Sequence, residues 1–60
     1  MDNAYKTFII HWHTVAQGHS CRGGYTVVTA RDKNGARRAM RSQFQLHRGE
    51  ALRIDRVEAR

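Results

Sequence analysis

The chain predicts a small α+β domain, a β-β-α-β arrangement with one helix packed on one face of a three-stranded sheet. Three observations lead there. Residues 5–15 (YKTFIIHWHTV) alternate in side-chain character and are rich in aromatic and β-branched residues. Residues 36–47 place apolar side chains at helical spacing. Glycines, with no proline anywhere, separate these periodic stretches.

In the first strand, Phe8, Ile10 and Trp12 point to one side, while Thr7, Ile9, His11, His13 and Val15 point to the other. The first set has the larger unbroken apolar area and is the natural core side. Residues 16–24 (AQGHSCRGG) hold three glycines among polar residues and predict a long hairpin loop. Residues 25–31 form the second strand, most simply antiparallel to the first. Residues 51–59 form the third: Leu52 and Ile54 share a face, and Val57 breaks the period, which a bulge or an early strand end explains. The third strand lies either parallel beside the second, after a right-handed crossover, or beside the first.

The helix gathers Ala36, Ala39, Met40 and Phe44 on one side, with Gln43 and His47 completing it. Asp32 or Asn34 can cap its start, since either short side chain accepts a bond from the free amides of the first turn. Asn34 is preferred, because capping at Asp32 brings Gly35 into the helix at a cost of about 1 kcal/mol relative to alanine. Gly49 is the expected left-handed residue after the last turn.

The opposite side carries Arg37, Arg41, Gln45 and Arg48, with Arg38 beside them. No Asp or Glu stands four residues away to pair them. Net charge is +6, and nine of the eleven Lys and Arg residues lie in the second half of the chain. A basic stripe on a basic half favours a negative partner, either nucleic acid or an acidic protein surface. The expected contacts are Arg37, Arg38, Arg41 and Arg48, flanked by Arg31, Lys33 and Arg53. Phosphate is the expected target of the leading reading; a protein-binding adaptor or inhibitor using the same stripe is the rival.

A one-helix layer leaves the other sheet face bare, and Tyr5, Ile9, His11, His13 and Tyr25 are expected there. Such a face suits unpaired bases or a second copy of the chain; the second copy is preferred. Sixty residues make one domain, which buries only about 60% of its unfolded surface. A homodimer would add to so thin a core.

His11, His13, His19 and Cys21 form H-x-H-x5-H-x-C, nitrogen and sulfur ligands of the kind zinc takes. The spacing matches no structural-zinc pattern, and a core exists without metal, so neither metal nor cofactor is expected. An enzyme is not expected either. His11, His13 and His47 beside arginines could divide acid–base work on RNA, and His19 beside Cys21 reads as a thiolate pair. Neither has a distinctive local motif, and so short a chain has little room for a sheltered pocket. Gly23-Gly24 is no phosphate loop, because a strand rather than a helix follows it. A single cysteine, no apolar run long enough for a membrane span and no basic-then-apolar start predict a cytoplasmic protein.

Overall fold

The computed structural model describes residues 4–60. Three strands and one helix follow in the order β1 (Lys6–Ala16), β2 (His19–Ala30), α1 (Lys33–Gln43) and β3 (Ala51–Ala59). The sheet order is β2-β1-β3, and β1 is antiparallel to both neighbours. The chain thus leaves the sheet at one edge, crosses it in α1 and re-enters at the other edge. Of the two arrangements open to the third strand, it takes the place beside the first. No helix among the described residues is long and apolar enough to cross a membrane.

The long loop expected over residues 16–24 is instead a two-residue turn. Ala16 pairs with His19, and Gln17 and Gly18 between them have φ of 52° and 78°. Two successive positive φ values mark the type I′ turn, whose twist matches that of the strands it joins. Gly23 and Gly24 therefore lie inside β2, opposite His13 and Trp12. The Trp12 ring lies against Gly24, where an added Cβ would sit 3.6 Å from it. A large aromatic ring across from a strand glycine covers backbone that the glycine itself leaves bare.

Gln17 is an unusual choice for a left-handed position, which asparagine takes more readily. Gln17→Asn is expected to stabilise the fold by roughly 0.5–1 kcal/mol, a rise in Tm of about 2–8 °C for a domain this small. Thermal unfolding followed by circular dichroism checks this; an unchanged or lowered Tm counts against the turn assignment.

Asp32, not Asn34, caps α1. Its backbone is extended, and its Oδ1 accepts the Gly35 N–H at 2.7 Å. That start places Ala36 on the inner side, where it is fully buried, and frees Asn34 Oδ1 to accept from Arg37 at 3.2 Å. The helix also stops earlier than Gly49 predicts. Phe44 turns extended, with φ −74° and ψ 133°, and donates its N–H to the Met40 carbonyl. Its ring packs edge-on against Trp12, with centroids 4.7 Å apart. Aromatic burial there outweighs another turn of helix, which would carry residue 44 away from the indole.

Two bulges set which side chains face the helix. Across β1–β3, His11 pairs with Arg56 and Trp12 with Ile54, so Asp55 is the extra residue. It brings Val57 back to the side of Leu52 and Ile54, as the broken period in the sequence suggests. Across β1–β2, Thr14 pairs with Arg22 and Val15 with Ser20, leaving Cys21 extra. The core under α1 is Phe8, Ile10, Val28, Ala30, Ala36, Met40, Leu52 and Val57, with Trp12, Phe44 and Ile54 packed at its end. The Trp12 Nε1–H donates to Thr26 Oγ1 at 3.0 Å, so the half-buried indole keeps a polar partner.

Candidate functional site

Burying Ala36 and Met40 turns Arg37, Arg38 and Arg41 to solvent, where all three are exposed. Arg41 in the last turn also complements the negative end of the helix. Whether this face is an open cationic surface depends on where the carboxylates point.

Each described Asp and Glu side chain is bonded to a group other than a helix arginine. Asp32 caps the helix. Asp55 approaches His13 Nδ1 at 2.8 Å, and Glu58 approaches His11 Nε2 at 3.0 Å and Arg56 Nε at 3.3 Å, all on the far side of the sheet. The His11 hydrogen bond, followed by the Arg56 charge, holds the Glu58 carboxyl below its ordinary range.

Glu50 is the most engaged. Its Oε2 accepts from Arg22 Nε at 3.0 Å and from the Thr14 hydroxyl at 2.9 Å. Its Oε1 accepts from Arg22 Nη2 and from the His47 backbone N–H, the latter at 2.7 Å. Thr14 is fully buried and also accepts the Arg22 N–H at 3.1 Å. The Arg22 guanidinium lies 5.5 Å from the Phe44 ring centre. The Arg22 bond, reinforced by the His47 amide and Thr14, holds the Glu50 carboxyl down to about 2, and the same bond raises Arg22. Among the described residues, then, no carboxylate forms an ion pair with Arg37, Arg38 or Arg41.

The expected stripe differs in two places. Arg48 lies past the end of α1, in the segment 44–50, so it does not continue the helical row. That row also divides between two flanks. Toward β2, Arg38 joins Arg31, Tyr5, Thr29, Asn34 and the helix-capping Asp32 around a cleft of about 470 Å³. Toward β3, Arg41 joins Arg53, Phe44, Leu46, Leu52 and the Arg22-bound Glu50 around a second hollow of about 400 Å³. Lys33 is exposed in the first helical turn, which holds no acidic residue.

Tyr5 is not on the bare sheet face where alternation puts it. It precedes the first strand residue, so the pleat does not govern it, and it lies beside the start of the helix with Arg31 5.3 Å from its ring centre. The bare face does bring Ile9, His11 and Tyr25 together, joined by Val27, Glu58 and Arg60 around a shallow depression of about 340 Å³. His11 and Tyr25 pair directly across β1 and β2, with ring centres 6.4 Å apart. His13 is next along β1, tied to Asp55.

The H-x-H-x5-H-x-C residues do not converge. His11 and His13 pair with Glu58 and Asp55, while Cys21 is exposed at its bulge, its Sγ 3.7 Å from the His19 carbonyl. No group of three or more His, Cys, Asp or Glu among the described residues is placed to hold a metal ion. The Arg22–Glu50–Thr14 cluster has no motif to announce it; a lone arginine in a glycine-rich stretch and a lone glutamate after Gly49 are its only traces. Comparison with family models, curated proteins and solved structures finds no match to this chain.

Proposed function

We propose that the chain is a nucleic-acid-binding protein that meets phosphates with the outer face of α1. Arg37, Arg38 and Arg41 form the centre of the contact, and Lys33, Arg31, Arg53 and Arg48 supply its margins. The observation that carries this reading is the bonding of the carboxylates: Asp32, Glu50, Asp55 and Glu58 are each held by other groups, leaving the helix arginines without an ion-pair partner among the described residues. Arginine offers five donors in a fixed fork that matches phosphate oxygens. Contacts of this kind hold the backbone rather than read sequence, so binding weakens steeply with salt as counterions return to the polyanion.

Arg37→Ala with Arg41→Ala is expected to weaken binding of DNA and RNA uniformly across sequences. It also lowers the steepness of log K against log salt by about 2. Fluorescence anisotropy between roughly 50 and 200 mM salt measures both. Unchanged affinity and slope would remove the helix from the contact.

An acidic protein surface would meet the same arginines, and Tyr25 and Val27, 67% and 45% exposed beside Ile9, offer a second copy an apolar patch to cover. Pull-down from a nuclease-treated extract separates the readings. A protein retained in stoichiometric amount favours the adaptor, and a dimer mass in sedimentation assigns the bare sheet face to self-association.

A further inference from the structure

We infer that the polyanion is single-stranded, and that an unpaired base stacks on Tyr5 in the cleft between the end of β2 and the start of α1. This rests on the reading of the helix face as a phosphate contact and narrows its substrate class. The cleft holds two guanidiniums, Arg31 and Arg38, around one aromatic ring. Tyr5 is 59% exposed and stands outside the core cluster, so packing does not account for its position. Arg31 stacks on it at 5.3 Å, and the remaining ring surface is left for another planar partner.

The outside of a duplex is a wall of phosphate with its bases stacked away inside, and it offers a tyrosine ring little to gain. A single strand presents base faces, and sites that bind one combine a cationic track with an aromatic platform. Here Arg38 lines the cleft with the ring, and Arg37 is exposed at the preceding helix position. A backbone following α1 would pass over the cleft, and one base would turn inward onto Tyr5. Arg31 covers one side of the ring, and the base takes the other. The bare sheet face also has an aromatic pair, His11 and Tyr25, with Glu58 and Arg60 at its border, but the helix arginines lie across the sheet from it. Asp32 lines the Tyr5 cleft as well, but its Oδ1 accepts the Gly35 N–H, and neither Arg31 nor Arg38 forms an ion pair among the described residues.

The test is anisotropy with a labelled oligothymidylate, an oligouridylate and a duplex of equal length, on the wild type and four variants. Tyr5→Ala is expected to weaken single-strand binding about 5- to 150-fold, the range for one stacked base, and to leave duplex binding within about twofold. Tyr5→Phe retains the stack and wild-type affinity. Tyr25→Ala leaves both ligands unaffected. Single-strand binding that survives Tyr5→Ala, or a loss equal on both ligands, overturns the inference, as does a loss confined to Tyr25→Ala. Loss with Arg37→Ala/Arg41→Ala but not Tyr5→Ala leaves the helix contact standing and removes only the base. If the wild type binds neither ligand, both readings fall together.

Discussion

Met40→Ala is expected to lower the stability of the fold by about 2–5 kcal/mol, a fall in Tm of roughly 8 °C or more. Met40 is fully buried, and it and Ala36 are the two buried residues of α1. Truncating a buried methionine costs about 2–5 kcal/mol, through lost transfer energy and the cavity left behind. A domain of this length has about 3–9 kcal/mol in total at typical stability per residue. The loss is therefore a large share of everything the fold has. Alanine's better helix propensity returns only tenths of a kcal/mol. Urea unfolding by circular dichroism gives the result, with Arg37→Ala as a surface control expected within about 0.5 kcal/mol of wild type. A midpoint shift no larger than the control's would mean that α1 does not anchor the sheet through Met40. The proposed nucleic-acid binding should fall with the fold, since the arginines are presented only while the helix is docked.

What could be read in the sequence follows from how local each feature is. The inner face of α1 was visible because Ala36 and Met40 repeat at the helix's own period, and turning them inward determines where Arg37, Arg38 and Arg41 go. The Asp55 bulge left a trace for the same reason: Val57 is one place out of step with Leu52 and Ile54, and only an extra residue restores it. Gly23 and Gly24 misled because glycine marks loops on average, whereas here the Trp12 ring across the ladder covers the strand glycine. Tyr5 departs from the alternation because it lies one residue before the pairing begins at Lys6. The end of α1 was misplaced because Phe44 satisfies the helical period and yet is drawn off by Trp12, thirty-two positions earlier, a contact that no window along the chain contains. Gly49 keeps its positive φ of 83°, but in a turn closed by the Glu50 N–H to the His47 carbonyl rather than at the helix end.

Glu50→Gln is the second large expected loss, and it has a pH signature that a simple packing defect lacks. Glu50 joins Arg22 and Thr14, which lie side by side on β2 and β1, to the backbone of His47 in the segment leading into β3. Its side chain is only 6% exposed. A glutamine of the same shape cannot accept on both atoms, so Arg22 and the His47 amide compete for one oxygen. A half-met buried network costs more than none. The folded carboxyl sits at about 2 against an ordinary 4.5. Between those values the unfolded chain binds the proton and the folded chain does not, so stability rises with pH there. Glu50 thus contributes fully above about pH 4.5, and that contribution fades as pH falls toward 2. Wild type should exceed Glu50→Gln most at neutral pH, with the gap closing across that interval; Glu58, also lowered, titrates in both proteins and cancels from the difference. Denaturant melts at pH 7, 4 and 2 measure it, and two proteins separated by a constant amount at all three would show that the carboxylate's charge does not hold this corner. The outcome also bears on binding. The segment 44–50 carries Arg48 and brings Leu46 beside Arg41, so loosening it should weaken the β3 flank of the cationic surface while leaving the Tyr5 cleft at the other end of the helix intact.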